Sequence, residues 1–228
     1  MLKKTIRLTL VDQVILQIES LIESGDWPVG KKIPAEPELV TDLHVSRNTL
    51  REGIKALCHT GVLTTRQGDG TYVTSSSMLG AAIQRRLRKS SLLDTLEVRN
   101  ALEQEAARLS AERRTEEDLE KILYYQRKCN SFTAARDIES YVAADMKLHQ
   151  TIVESTGNQM LIDLYAHITE SIKESISTYL KKRFTEDLPE NAHQQLVEAI
   201  TAQDTATAAN IVKQFIDQIK RDVEMEEN

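Results

Sequence analysis

The residues best suited to chemistry are an aspartate and a histidine four positions apart, Asp145 and His149, in the segment DMKLHQ. Side chains at positions i and i+4 of a helix lie on one face, so a carboxylate and an imidazole at this spacing can bind one metal ion. The alternative is an ordinary hydrogen-bonded pair on a helix surface. His193, near the start of a helix that is predicted after Pro189, is a further polar feature. A lone histidine, however, is more often a surface or core residue.

Arg99 is the second candidate, because it lies at or beside the apolar side of the helix predicted for LLDTLEVRNALEQEAARLSAER. A guanidinium near a core needs an anionic partner, since burying the charge alone is very unfavourable. One possible partner is Glu103, four residues further along the same helix. The other is the carboxylate of a bound ligand, which an arginine can hold with two hydrogen bonds.

A group of cationic residues lies in the segment VSRNTLREGIKALCHT near the N-terminus. Ser46 is a suitable N-cap, because its hydroxyl can accept a hydrogen bond from a free amide of the first turn. Arg47, Arg51 and Lys55 then recur every four residues, on a face distinct from the apolar stripe. Such a helix fits the major groove of DNA, where arginine reaches phosphates or guanine edges. The alternative is an amphipathic helix with a solvated charged face.

The residues after this helix indicate a β-hairpin, since β-branched runs at 62–65 and 71–73 flank the turn sequence RQGDG. Arg66 and the glycines of the turn can approach the DNA backbone or the minor groove closely. Upstream, the pattern predicts an amphipathic first helix and a short second helix over about 36–43. Two helices, a cationic helix and a hairpin in this order predict a winged helix-turn-helix.

The distribution of charge separates two parts of the 228-residue chain, which is long enough for two domains. Residues 1–74 carry nine Lys or Arg and nine Asp or Glu, so the net charge of −6 resides in residues 75–228. DNA binding should therefore depend on a local cationic patch and weaken with added salt. The acidic C-terminal part has the wrong sign for nucleic acid, which indicates a different role.

The fold class that the sequence predicts is mostly α, with a winged helix-turn-helix at 1–74, a linker at 75–77 and an all-helical domain at 78–228. The tyrosines of the helical domain could offer phenol donors inside the bundle, but such residues are more often part of the core, and we predict none of them as a site residue. The predicted helices of this domain cover about 78–89, 91–113, 115–130, 135–156, 158–184, 189–202 and 204–224.

Membrane and secretory classes are disfavoured. No apolar run approaches about 18 residues, and the first residues have charges within their apolar stretch and no small-residue cleavage site. Cys58 and Cys129 fall in different predicted domains, which favours reduced thiols over a disulfide. We therefore expect a cytoplasmic protein without a membrane partner.

The segment 27–73 resembles the DNA-binding domain of GntR-type bacterial transcription regulators, in its Ile-Pro-x-Glu start, its Val-Ser-Arg…Arg-Glu core and its Gly-x-Gly hairpin. The resemblance implies DNA contacts by Arg47 and Arg51 and entry of residues 67–70 into the minor groove. Where the family usually has a further DNA-contacting arginine, this chain has Pro37, so one contact is missing. The candidate DNA-binding residues are Ser46, Arg47, Asn48, Thr49, Arg51, Lys55, Arg66, Gln67, Gly68 and Gly70.

The segments LEVRNALEQEAARLSAER, DMKLHQTIVESTGNQML and AHQQLVEAITAQDTATAA resemble the helical effector-binding (FCD) domain of the FadR-type branch of that family. In that branch, one Asp and three His commonly bind a divalent metal, and a small organic acid completes its coordination. Asp145, His149 and His193 match three of these four ligands. The resemblance therefore implies one divalent ion, Zn or Ni, with Arg99 lining the effector pocket.

The fourth ligand position of the resembling family departs from the pattern in this chain. Phe215 stands where the family has its last histidine, and Gln214 precedes it. His167 is a conceivable substitute, although nothing in its spacing recommends it. Three protein ligands and water can still hold Zn or Ni, at lower affinity than a full set.

These features predict a sequence-specific transcription regulator, by family habit a repressor, which binds a palindromic operator in double-stranded DNA as a homodimer. A small organic acid bound in residues 78–228 would modulate its operator affinity. One alternative is a metal-sensing repressor in which the ion itself is the signal. A more remote one is a metal-dependent hydrolase, although the sequence has no His-Glu-x-x-His motif, phosphate-binding loop or nucleophile elbow. We predict no catalytic residues.

Overall fold

The structure is a computed structural model that describes residues 8–186 and 193–226. Within 170–186 it describes the helix but only some of the side chains. The described residues form two compact units, which divide between Arg86 and Leu87. Their fold is mostly α with a small two-stranded sheet, as predicted. In chain order the elements are α1 (Leu10–Glu23), α2 (Glu36–Asp42), α3 (Arg47–Thr60), β1 (Leu63–Arg66), β2 (Gly70–Val73), α4 (Met78–Leu87), α5 (Leu92–Arg113), α6 (Glu116–Ala135), α7 (Ile138–Glu154), α8 (Gln159–Glu186), α9 (Gln194–Thr201) and α10 (Thr205–Glu226).

The cationic helix α3 begins and ends where the sequence predicts. The hydroxyl of Ser46 caps the helix by accepting a hydrogen bond from the amide of Thr49 at 3.1 Å. Gly61 ends the helix with a left-handed φ of 90°, a conformation that glycine adopts without a steric penalty. These local signals fix the length of α3, and therefore which of its residues face outward.

Gly53 sets the distance between α1 and α3. A Cβ atom at this position would lie 2.9 Å from Cγ1 of Val14 and 3.4 Å from its Cβ, so the missing side chain lets the two helices pack closely. A glycine inside a helix is unfavourable by about 0.5–1 kcal/mol relative to alanine, and the close packing offsets this. The fully buried core around it includes Val14, Ile18, Leu50, Leu57, Val62 and Leu63.

The hairpin is antiparallel, with Leu63 opposite Val73 and Arg66 opposite Gly70. Its turn contains Gly68 with a φ of 75°. A Cβ atom at Gly70 would collide with the side chain of Lys32, whose backbone forms a bridge with Tyr72. The hairpin is therefore tied to the segment that precedes α2.

The unit boundary lies further along the chain than the linker that we predicted at 75–77. Most of α4 belongs to the N-terminal unit, because Ala81 is buried in that unit's core. In addition, Nη2 of Arg85 donates a hydrogen bond to the carbonyl of Thr60 at 2.6 Å. The polar stretch before α4 is also not wholly exposed, since Ser75 is buried.

The C-terminal unit is a helical bundle, in which α5 packs mainly against α10 and α6 mainly against α7. Ser91 and Thr115 start α5 and α6 with reciprocal capping boxes. Most predicted helices agree within a few residues, but α6 continues to Ala135 and ends at Arg136 in a left-handed conformation. The start that we predicted at 189 lies outside the described residues. The core residues of this unit include Leu96, Ile122, Leu148, Ile200 and Ile216.

Candidate functional site

The outward face of α3 carries the cations that the sequence identified. Arg47, Arg51 and Lys55 are exposed, as is Asn48, whereas Thr49 is half-buried with its hydroxyl 2.8 Å from that of Ser46. Ser46 and Thr49 therefore stabilise the start of the helix, and the arginines and the lysine are accessible to a ligand.

Glu36 contacts this cationic face from α2, a pairing that the sequence analysis missed. Nε of Arg51 donates a hydrogen bond to Oε2 of Glu36 at 2.8 Å, while 65% of the Arg51 side chain stays exposed. This hydrogen bond, together with the nearby negative charge, raises the pKa of Arg51. The Ile-Pro-x-Glu motif contains Glu36, but no spacing rule predicts a contact across fifteen residues.

The hairpin formed by β1 and β2, which is the wing of the winged helix-turn-helix, is held by polar contacts around Tyr72. The guanidinium of Arg66 lies over the Tyr72 ring, 4.3 Å from its centroid. The Tyr72 hydroxyl donates to Asp69 at 2.8 Å, and Nζ of Lys32 also contacts Asp69 at 3.1 Å. Gln67 and Gly68 are exposed at the tip. Between this hairpin and α3 lies a cleft of about 770 Å³, whose lining includes Lys32, Glu36, Arg51, Lys55, Asp69 and Gly70.

In the C-terminal unit, Asp145, His149 and His193 converge although the sequence separates them. Asp145 and His149 lie on the buried face of α7, and His193 is the residue before α9. Nε2 of His193 is 3.0 Å and Nε2 of His149 is 3.9 Å from Oδ1 of Asp145. One ligand atom from each of the three residues lies within 4.8 Å of the others, and all three residues are buried.

The chemistry of this cluster fits a divalent metal. Nε2 of His149 and Nε2 of His193 are both buried without a hydrogen-bond partner, since the short approach of His193 to Asp145 lacks hydrogen-bond geometry. Unpaired buried polar atoms are unfavourable, and two imidazole nitrogens with one carboxylate oxygen are a donor set that Zn and Ni accept. A metal would satisfy all three groups at once.

Arg99 and Glu103 form a buried ion pair beside the cluster. Nε of Arg99 donates to Oε1 of Glu103 at 2.5 Å, and each side chain is only 4% exposed. The hydroxyl of Tyr165 donates to the same oxygen at 2.8 Å. Of the two partners that the sequence left open for Arg99, the structure therefore shows Glu103. Tyr165, which we did not predict as a site residue, also contacts this pair.

Burial and charge act in opposite directions on the acids of this cluster. Burial alone would raise the pKa of Glu103, but the charge of Arg99 keeps it below its usual value. Burial likewise disfavours the charged form of Asp145, whereas contacts with His193 and His149 lower its pKa overall. For His149, burial dominates and lowers the pKa. Both carboxylates are therefore ionised, and His149 is neutral, near pH 7.

A cavity of about 260 Å³ opens beside the two histidines. Arg99 does not line it, whereas Phe215 does, with its ring centroid 6.4 Å from that of His193. His167 lies half-buried on α8 and is not part of the converging group. The lining consists of Glu103, His149, His193, Gln195, Leu196, Ile211, Val212, Gln214 and Phe215.

The two cysteines are free thiols, in agreement with the sequence prediction. Cys58 is half-buried and Cys129 is buried. Burial, together with the charge of Asp145, raises the pKa of Cys129 to about 12. The thiol of Cys129 is therefore protonated at neutral pH and poorly suited to bind a metal or react.

Comparison with known families assigns both units. Residues 10–73 match the bacterial regulatory proteins of the gntR family, and residues 94–218 match the FCD domain. The chain therefore belongs to the GntR family, in its FadR-type branch. It is a DNA-binding transcription regulator with an effector-binding domain, and its family consists of regulators rather than enzymes.

Individual relatives extend over most of the chain. The HTH-type transcriptional regulator LutR of Bacillus subtilis is 32% identical over 82% of this chain and 89% of its own length. The putative L-lactate dehydrogenase operon regulatory protein of Escherichia coli is 30% identical over 86% of this chain and 79% of its own. A solved GntR structure from Streptococcus agalactiae superposes with a TM-score of 0.57 at 29% identity, covering 92% of this chain and 99% of that one.

A helix that crosses a lipid bilayer must be long and almost entirely apolar. None of the helices of the described residues is both long and apolar enough to cross it.

Proposed function

We propose that this regulator binds a palindromic operator as a homodimer and that a metal-anchored organic acid changes its operator affinity. Two copies of α3 would enter successive major grooves, since half-sites about one helical turn apart match a two-fold symmetric protein. As is usual in this family, the regulator would be a repressor that leaves its operator when the effector binds. The observation that carries the effector part is the convergence of Asp145, His149 and His193, of which the two histidines line a cavity.

Arg47, Arg51 and Lys55 are the proposed contacts in the major groove. Their exposure on one face of α3 supports this role, and Arg51 has free guanidinium nitrogens beyond the one that Glu36 engages. Arg66, Gln67, Gly68 and Gly70 form the proposed minor-groove wing. Ser46, Asn48 and Thr49 lie at the N-terminal end of α3, where backbone amides approach phosphates.

Asp145, His149 and His193 would hold one Zn or Ni ion. When bound, the ion supplies positive charge and open coordination positions for an oxygen ligand. Phe215 takes the place of a fourth protein ligand and supplies an apolar wall beside His193. The three protein ligands would then leave room for water or the effector on the ion.

The cavity is the proposed site of a small organic anion, although Glu103 adds a negative charge to its wall. Its lining contains the amides of Gln195 and Gln214 and the apolar side chains of Leu196 and Ile211, but among the described residues that line it there is no lysine or arginine. Because Arg99 is already paired with Glu103, the positive charge that attracts a carboxylate would come from the metal. The name of the L-lactate dehydrogenase operon relative supports a small hydroxy acid as the class of ligand.

Arg99 would therefore not hold the effector carboxylate directly. Its hydrogen bond to Oε1 of Glu103 keeps that side chain, which lines the cavity, ionised and in place. In this proposal Arg99 supports the wall of the effector pocket.

The decisive experiment measures thermal unfolding of the full chain against a panel of small carboxylates and sugar acids, with added Zn or Ni and with a chelator. A ligand at 100 times its Kd adds about 2.7 kcal/mol, which raises the Tm by several degrees. We expect a stabilising hydroxy acid whose effect disappears with the chelator and in His149→Ala, but persists in the matched control His167→Ala.

Other outcomes identify the alternatives. A stabilising acid that survives chelation would contradict the metal-anchored site. Operator binding that responds to the metal alone, with no response to any acid, would instead indicate the metal-sensing repressor. The stabilising acid is then added to the complex of the protein with operator DNA. Release of the DNA would identify a repressor whose effector lowers its operator affinity.

A further inference from the structure

The two oxygens of Glu103 have different environments. Oε1 accepts hydrogen bonds from Nε of Arg99 and from the hydroxyl of Tyr165. Oε2 is buried without a hydrogen-bond partner and lies 3.7 Å from Nδ1 of His149. A buried ion pair with Arg99 alone explains the first oxygen, but it leaves the second one unsatisfied, which is unfavourable for a carboxylate.

His149 presents its two ring nitrogens to different groups. Nε2 faces Oδ1 of Asp145 in the proposed metal cluster, whereas Nδ1 faces Oε2 of Glu103. A neutral imidazole carries its proton on only one nitrogen, and the partner of that nitrogen decides which one. For Nε2 to offer a lone pair to a metal, the proton must be on Nδ1, where it needs an acceptor.

We propose that Glu103 is a positioning residue that holds the proton of His149 on Nδ1 and so leaves Nε2 free for the metal. This inference rests on the proposed function of the Asp145, His149 and His193 cluster. Arg99 and Tyr165 engage Oε1 and thereby direct Oε2 towards His149. Carboxylates that orient metal-ligating histidines in this way commonly contribute a factor of about 10–100 to metal affinity.

The isosteric variant Glu103→Gln tests the proposal. The Gln carbonyl can still accept from Arg99 and Tyr165, but its NH2 group now faces Nδ1 of His149 as a donor. The variant therefore favours the proton on Nε2. We expect metal affinity, measured by competition with a chromophoric chelator, to fall about 10–100-fold. Glu105→Gln, on the exposed side of the same helix and paired with Arg108, is the matched control and should bind like the wild type.

A second readout does not need the metal. In metal-free protein, ¹⁵N NMR of the His149 ring nitrogens reports directly which one carries the proton. We expect Nδ1–H in the wild type and Nε2–H in Glu103→Gln. A purely structural role of Glu103 would leave this signature unchanged, so an unaltered tautomer would overturn the proposal.

The double variant Arg99→Met, Glu103→Leu covers the case in which Glu103→Gln does not fold. Replacing a buried ion pair by apolar residues of similar volume is often neutral for stability, but it also removes the acceptor for Nδ1. We expect weakened metal binding in a folded protein. Wild-type metal affinity in either folded variant would contradict the role of Glu103, whereas a wild type that binds no metal but shows the predicted tautomers would contradict only the metal site.

Discussion

The ion pairs beside the two candidate sites of this regulator lie in opposite environments. In the N-terminal unit, Arg51 and Glu36 form a pair whose side chains are 65% and 31% exposed, and the pair of Lys32 with Asp69 is also exposed. In the C-terminal unit, Arg99 and Glu103 are each 4% exposed. Exposed pairs contribute little to stability and can exchange partners for a phosphate. Buried pairs cannot exchange, and breaking them is strongly destabilising.

Removing one partner of the buried pair should produce the largest effect. Arg99→Met leaves the Glu103 carboxylate buried without a cation, which should lower the free energy of unfolding by about 3–5 kcal/mol. Urea denaturation measures this change. Arg108→Met is the control, because Arg108 pairs with Glu105 and Glu112 at the surface; it should have only a small effect. Equal effects of the two substitutions would remove the contrast between buried and exposed ion pairs.

The N-terminal unit should instead be sensitive at an apolar contact. Gly53→Val places atoms where Val14 already lies, and overpacking of this kind typically lowers the free energy of unfolding by about 1–3 kcal/mol. Adding Val14→Ala should restore part of the loss, as seen by thermal unfolding. Full stability of Gly53→Val alone would mean that α1 and α3 can separate without penalty.

Changes to the exposed cations should affect DNA binding without affecting stability. Arg47→Ala should weaken specific operator binding by about 1–3 kcal/mol if the side chain reads a base, or lower the salt slope by about 1 if it contacts a phosphate. Fluorescence anisotropy over a range of salt concentrations separates the two. Lys121→Ala, in the C-terminal unit, should leave binding unchanged, and the Tm should not move in either variant.

The smallest effect that we predict is a dependence of stability on pH, measured in protein that is kept metal-free by a chelator. The pKa of His149 is lowered in the folded state, so the unfolded chain takes up a proton first as the pH falls through about 6.5. Stability is therefore fully present above this pH and declines below it, by at most about 1.4 kcal/mol per pH unit for one proton. Urea titrations at pH 7.5 and 5.5 test this, and His149→Gln should abolish that contribution. Increasing stability at the lower pH would contradict a buried neutral histidine.

The sequence predicted what depends on local spacing. The cap at Ser46, the cationic face of α3 and the pair of Asp145 with His149 follow from helical periodicity alone. Family resemblance added His193, which lies far along the chain and meets Asp145 only through the packing of α9 in the bundle.

What the sequence could not predict depends on packing between elements. The contact of Glu36 with Arg51 crosses from α2 to α3, and Tyr165 reaches Glu103 from α8. The partner of Arg99 was left open, because the choice between Glu103 and a ligand depends on side-chain orientation. The packing of α4 with the N-terminal unit was also not predicted, since a polar stretch before α4 does not reveal that Ala81 is buried.

The packing of α4 against the N-terminal unit makes that helix part of the DNA-binding unit. Ala81 is buried in the core of that unit, and the hydrogen bond from Arg85 to the carbonyl of Thr60 joins α4 to the end of α3. We therefore expect the short stretch 87–91, which follows the boundary between the units, to connect effector binding with operator binding. Inserting glycines at 87–91 should uncouple effector binding from operator binding. Each unit would still bind its own ligand, but binding at one unit would no longer change the affinity of the other.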